Sequence, residues 1–273
     1  MARSPPGTHE RLRPVHWLIV ASHKETRAAG VAAPVIRGAA PVIQGTAPPT
    51  SHPRCSAAHW SRRAGRPELR FLRSLATLKD SSLLDDEVIN AYMSALASES
   101  GGLAVAFSVF WLPVMWTMPR RDQRCQTLRR CGADSAKVWL MPLNKGGTHR
   151  ALIVMLRAQQ RIAYLDSLSW APDSDVIGLT QQLLEDVEDG PQNWADWIVV
   201  LPSNVPRQTD SHSCGVHVCW HARAAAIGVA SDAPLDVDDM RREIRRSILT
   251  VRLSAFILPF ITNAVSTTKS MWW

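Results

Sequence analysis

No apolar run in this 273-residue sequence approaches the ~20 residues that a membrane-crossing helix needs. The nearest are Trp17–Ala21 and Phe256–Ile261, both short, the second interrupted by Pro259. A bilayer span is therefore not expected. The first run also has His16 at its edge, which gives no support for a secretory leader. Cysteine is sparse: five residues, an odd number, at no framework spacing. That excludes a disulfide scaffold and points to free thiols in a reducing compartment, hence an intracellular location. A basic body is missing too. The net charge is +7, but residues 1–70 hold eleven Lys or Arg against three acids, and residues 71–273 hold twenty against twenty-one. Phosphate neutralisation needs a concentrated basic surface, so no nucleic acid is expected on the folded part.

What is present divides the chain. Residues 1–68 read as a disordered, basic Pro/Ala/Arg-rich extension. Residues 32–38 recur at once as residues 39–45, each copy carrying Pro and Gly. A unit so short buries no core. Its composition also overlaps that of organelle transit peptides, a bias that disordered tails share. A domain is expected over 69–265, followed by a tail over 266–273. Within it Leu84, Val88, Ile89, Tyr92 and Leu96 recur at helical spacing behind Asp85, Asp86 and Glu87, acids that favour a helix start. Val138–Leu143, Ala151–Leu156, Arg161–Leu165 and Trp197–Leu201 read as strands. The turn at Arg157–Gln160 has neither Gly nor Pro, so its type stays open. Val176, Leu179, Leu183, Leu184 and Val187 mark another helix, closed by Gly190 and Pro191. A helix from Cys214 stops at Gly228, and a last one over Val237–Leu249 carries Arg241, Arg242, Arg245 and Arg246 on its outer side. Strands set between helices indicate an α+β fold.

Four residues form a chemical set. Cys214 opens a helix after Ser213, a residue type suited to the N-cap. The helix dipole there favours thiolate over the ordinary thiol near pKa ~8.5. His149 enters one strand after Gly146 and Gly147, and Asp166 ends the return strand, so a hairpin sets them side by side. The carboxylate would hold one ring nitrogen while the other serves the sulfur. Gln208, on the loop before Cys214, would donate its amide with the Cys214 N–H to an oxyanion. No metal or organic cofactor is required.

Together these segments resemble the Ulp/sentrin-specific protease family, cysteine peptidases that process SUMO and related ubiquitin-like modifiers. The resemblance spans about residues 75–250 and rests on five segments in order. Leu83–Asn90 is similar to its early helix motif, Trp139–His149 to the strand that reaches the histidine, and Tyr164–Leu168 to the aspartate motif. Val205–Gln208 and Cys214–Cys219 are similar to its glutamine and nucleophile segments. It implies a papain-like α+β domain with a central mixed sheet flanked by helices. It implies cleavage after the C-terminal glycine of a SUMO-like partner by a nuclear or cytoplasmic monomer, and substrate contacts from Leu83, Asp86, Trp139 and Arg150.

The sequence departs from the pattern in places. Arg150 and Leu83 stand where the family has tryptophans that roof a tunnel for an extended Gly-Gly tail. Ser213 replaces an aspartate, and His217 an apolar residue. The hydrolytic parts are retained and the clamp is altered, so a binding module of the same fold that does not turn its partner over is the alternative. A zinc site is the other rival, because His212, Cys214, His217, Cys219 and His221 fall within ten positions. Cys214 and Cys219, five apart on a helix, point in different directions, and no second pair at finger spacing accompanies them. Asp236, Asp238 and Asp239 lack the glycine and closing glutamate of a calcium loop and read as helix-start acids.

Overall fold

The computed structural model describes residues 67–79, 81–188, 192–228 and 234–251. The expected basic extension, its tandem copy, the Gly190–Pro191 stop and the C-terminal tail lie outside the described residues, except that the first helix begins at Pro67, ahead of the expected boundary. In chain order the elements are α1 (Pro67–Ala76), α2 (Asp86–Glu99), β1 (Ala104–Ala106), α3 (Trp111–Trp116), α4 (Arg121–Arg130), β2 (Val138–Lys145), β3 (His149–Leu156), β4 (Arg161–Leu165), α5 (Ser174–Val187), β5 (Ile198–Val200) and α6 (Cys214–Ile227). A last helix, α7, covers 237–251.

The five strands lie side by side in sequence order. The outer pairs β1–β2 and β4–β5 are parallel, while β2–β3 and β3–β4 are antiparallel. The sheet is therefore mixed, as expected. Side chains alternate across it. Leu140, Leu152, Val154 and Leu165 face one core with Ile89 and Tyr92 of α2 and Val216 and Ala222 of α6. Trp139, Met141, Ile153 and Tyr164 face a second core with Trp111 of α3, Leu128 of α4 and Leu183 of α5. Helices cover both faces, which explains why the central strands read as continuous apolar runs.

Local chemistry explains the joints. Asp85 caps α2 by accepting the Glu87 N–H at 2.7 Å. The β3–β4 turn closes because Gln160 takes a left-handed conformation, φ 50°, without the glycine that would make the signal visible in sequence. Gly228, at φ 72°, ends α6. Gly215 in α6 packs so tightly on the segment leading into α2 that a Cβ there would lie 3.0 Å from Leu84 Cβ.

Two readings are corrected. Arg241 is not on the outer side of α7; it is buried and donates to the carbonyls of Thr77, Lys79 and Ser82, tying α7 to the end of α1. Those carbonyls lie past the last turn of α1, where a cation is favoured. Cys125, Cys214 and Cys219 are free thiols, but Cys131 is disulfide-bonded, so the sulfurs are not all free.

One buried ion pair joins α4 to α5. Arg124 meets Asp186 through Nε at 2.6 Å, and Arg121 adds a bond at 3.2 Å. Asp186→Ala leaves Arg124 buried without its counter-ion, so a loss of ~3–5 kcal/mol is expected. Denaturant titration checks it: a change below ~1 kcal/mol would show that the pair adds nothing beyond a surface contact.

Candidate active site

Three connections converge at one end of the sheet. Gly146 and Gly147, at φ 62° and 80°, turn the chain between β2 and β3, so that His149 stands opposite Lys145 in the register. On the other side of β3, Leu152 pairs with Leu165, which brings Asp166 next to Ala151 and diagonal to His149. The result is a hydrogen bond of 2.9 Å between His149 Nε2 and Asp166 Oδ1, with both side chains buried. The same carboxylate accepts the Leu168 N–H at 2.8 Å and the Tyr164 hydroxyl at 3.1 Å. With a backbone N–H and a hydroxyl already donated to it, the carboxylate faces the ring as an acceptor. Nε2 then carries the imidazole proton, and Nδ1 is left as the bare nitrogen.

Cys214 begins α6, and its sulfur lies 4.0 Å from the Thr148 carbonyl oxygen. The sulfur therefore sits against the residue that leads into His149 at the start of β3. The sequence expectation of a thiolate favoured at rest is corrected. Burial pushes the Cys214 thiol above its ordinary value; the Arg150 N–H and guanidinium and the Gly215 N–H pull the other way, and Asp210 opposes them. Desolvation of the anion is the largest of these effects.

Ser213 does not cap the helix by its side chain. Its ψ of 1° departs from the extended geometry that aims a hydroxyl at the first turn, and no side-chain cap bond forms. Asp210 organises this corner instead, accepting the N–H groups of His212 at 2.8 Å and Ser213 at 2.7 Å. Burial works against ionising Asp210, but these two backbone bonds and the His212 ring hold its pKa below the usual value.

Gln208 is clipped to the strand that ends in Asp166. Its N–H donates to the Ser167 carbonyl at 3.2 Å, its Oε1 accepts the Ser167 hydroxyl at 2.6 Å, and its Nε2 donates to the Asp210 carbonyl at 2.9 Å. One amide hydrogen therefore remains for a ligand. Ser167 and Asp210, which fix this loop, were missed in the sequence; only their adjacency to Asp166 and Cys214 hints at them.

The expected substrate-binding residues separate into two groups. Leu83 is 46% exposed and presents an apolar surface before α2. Arg150 gives Nε and Nη2 to Asp86 Oδ1, at 3.0 and 2.8 Å, and Nη1 to Asn144 Oδ1 at 2.9 Å. It locks the start of β3 to the start of α2 rather than roofing the site. Trp139 presents nothing to a partner: it is fully buried, donates its indole N–H to the Ala133 carbonyl at 3.0 Å and packs edge-on against Phe107. An alternating strand sends every second residue into the core, and Trp139 is one of those.

Two histidines of the zinc alternative, His217 and His221, are buried in α6, while His212 lies before it, half-buried beside Asp210. Burial depresses His217 to about 4 against the opposing pull of Asp210 and the Pro206 carbonyl, and depresses His221 to about 3 with His217 adding to it. Among the described residues no three His, Cys, Asp or Glu side chains gather where an ion would sit.

A sulfur at a helix start, an imidazole held by a carboxylate and a tethered amide on a mixed sheet form the arrangement of the cysteine-peptidase class. The Ulp1 protease family, C-terminal catalytic domain, matches residues 82–254. Ubiquitin-like-specific protease 1 of Saccharomyces cerevisiae is 24% identical over 185 residues, covering 66% of this chain and 29% of that protein. Sentrin-specific protease 2 of Mus musculus is 27% identical over 179 residues, covering 57% of the chain and 28% of that protein. The chain thus spans under a third of the length of these relatives. A structure of the SUMO protease Ulp1 with its catalytic cysteine oxidised to a sulfonic acid superimposes with a TM-score of 0.56 at 25% identity, over 67% of this chain and 84% of that one. The Ulp1 protease domain in complex with Smt3, the yeast ortholog of SUMO, gives 0.55 at 24%, over 66% and 82%. The chain belongs to the Ulp1 protease family and carries its cysteine-peptidase catalytic domain.

Proposed function

We propose that the chain is a peptidase or isopeptidase that cleaves after the C-terminal glycine of a SUMO-like modifier. Cys214 is its nucleophile, His149 its base, Asp166 the orienter and Gln208 an oxyanion donor. The observation that carries this reading is the His149–Asp166 bond with the Cys214 sulfur against the Thr148 carbonyl, one residue before His149. Because the resting thiol is favoured, attack begins with transfer of the sulfur proton to His149 Nδ1. The sulfur adds to the glycine carbonyl, and the oxyanion takes hydrogen bonds from the Cys214 N–H and the remaining Gln208 amide hydrogen. The imidazolium returns its proton to the leaving amine as the C–N bond breaks. Water, deprotonated by His149, then splits the thioester, releasing the carboxylate and restoring the thiol. Asp166 stays ionised throughout and stabilises the transient imidazolium.

The peptidase domain on this reading runs over 69–265, between a basic extension at 1–68 and a tail at 266–273. It acts as a monomer in the nucleus or cytoplasm. Leu83 and the Arg150–Asp86 pair line the approach of the modifier tail. The elevated thiol and the locked Arg150 favour one second reading, a module that binds a modifier without turning it over. A panel of ubiquitin-like proteins bearing C-terminal electrophiles separates the two. The expected result is a covalent adduct at Cys214 in intact-mass spectra, absent from Cys214→Ala. Reversible binding without an adduct from any probe overturns the enzyme reading and supports the module.

A further inference from the structure

The Asp166 oxygen that His149 does not touch belongs to a longer polar chain. Tyr164 donates to Oδ2 at 3.1 Å, and its own oxygen accepts from Lys145 Nζ at 3.0 Å. Lys145 also donates to the Ala171 carbonyl at 2.8 Å and lies 5.5 and 5.9 Å above the rings of Tyr164 and Trp170. Trp170 in turn packs its ring 4.7 Å from the His149 ring at a tilt of 54°. It is 51% exposed, whereas His149 beneath it is buried.

The topology makes this cluster. Lys145 is the register partner of His149, and Tyr164 precedes Asp166 by two positions on the same face of the sheet. A turn from the Asp166 carbonyl to the Ser169 N–H, with Ser169 at φ 61°, folds the chain back so that Trp170 reaches the imidazole.

Its chemistry has a direction. An ammonium group only donates, so the Tyr164 oxygen must accept from Lys145 and point its own hydrogen at Asp166. Asp166 therefore cannot rotate without losing Tyr164, Leu168 or His149. Trp170 lies over the imidazole and restricts water, which keeps the His149–Asp166 bond strong. We infer that Lys145, Tyr164 and Trp170 act as one positioning device that fixes the Asp166–His149 pair and shields it from solvent. The inference rests on the roles given to His149 and Asp166 above. None of the three residues touches the reacting carbonyl; each acts through another side chain.

The test uses the full chain with Tyr164→Phe, Lys145→Met, Trp170→Ala and Trp170→Phe. One readout is turnover of a SUMO-like precursor. The other is exchange of the His149 Nε2–H with water, followed by proton NMR and assigned by its loss in His149→Ala. Tyr164→Phe keeps the ring and removes only the link. It is expected to lower kcat between about ten- and a hundredfold with KM within about twofold, and to speed ring-proton exchange. Lys145→Met and Trp170→Ala should do the same, and Trp170→Phe should recover most of both. Unchanged kcat and unchanged exchange in Tyr164→Phe and Trp170→Ala overturn the inference while leaving the peptidase reading intact. If the parent chain forms no adduct and turns nothing over, the peptidase reading fails. The exchange readout then decides the device by itself.

Discussion

Asp166→Asn is expected to lower kcat by about 10⁴-fold with the fold retained. The amide matches the carboxylate in shape. It carries no charge to stabilise the imidazolium. Its NH₂ must confront the Tyr164 hydroxyl when its oxygen sits on the Oδ1 side, or His149 together with the Leu168 N–H when it sits on the Oδ2 side. A conflict with His149 forces the imidazole proton onto Nδ1, the nitrogen needed to receive the sulfur proton. Progress curves on a processed precursor, with thermal unfolding as control, check this. A fall of less than about tenfold at an unchanged melting temperature would remove Asp166 from the role of orienter.

Acid is expected to destabilise the domain steeply, through residues that take no part in the chemistry. His217 and His221 lie inside α6, and neither His221 ring nitrogen has a hydrogen-bond partner among the described residues. Burial lowers His217 to about 4 and His221 to about 3. The unfolded chain binds protons at these positions below its ordinary pKa, ~6.5, while the folded chain refuses them, so stability is complete above that value. It falls with pH at a slope approaching two protons per molecule. By pH 4 the loss reaches roughly 6–7 kcal/mol, at ~1.4 kcal/mol per unit for each ring, comparable to the whole stability of a small domain. Denaturant midpoints measured between pH 7 and 4 check the slope, and His221→Leu should remove about half of it. A flat profile would mean that water reaches these rings.

Sequence patterns located the elements that bury many side chains. The stripe Leu84, Val88, Ile89, Tyr92 and Leu96 is wholly buried, because helical spacing and core contact are the same constraint. The strands of the central hairpin were legible for a related reason: both of their faces are covered. Four elements were not anticipated, the opening helix α1 among them. β1 is three residues long, too short for any period, and α3 is a single apolar turn and a half around Pro113. α4 is mostly polar, and its tertiary anchor is the Arg124–Asp186 pair, a contact between residues far apart in the chain.

The site shows the same division. His149, Asp166, Cys214 and Gln208 could be selected because their chemistry and order are distinctive. The groups that hold them could not: Ser167, Asp210, Tyr164 and Lys145 are ordinary polar residues whose partners are set by strand register and loop path. Trp139 failed as a surface residue because strand parity turns it into the core, and Ser213 failed as a cap because its backbone is not extended there. The thiol expectation failed since helix position is visible in sequence and depth is not.

If Leu83, Asp86 and Arg150 line the approach to the site as proposed, the pairing of Arg150 with Asp86 sets what a visiting protein meets there. Asp86 is not a lone anion waiting for a basic side chain, nor is Arg150 a lone cation, so neither attracts a partner by charge alone. A visitor that brings its own lysine or arginine to this corner must displace a guanidinium already held by two nitrogens. Selection at the doorway therefore falls to shape, and to the greasy ledge that Leu83 leaves beside it.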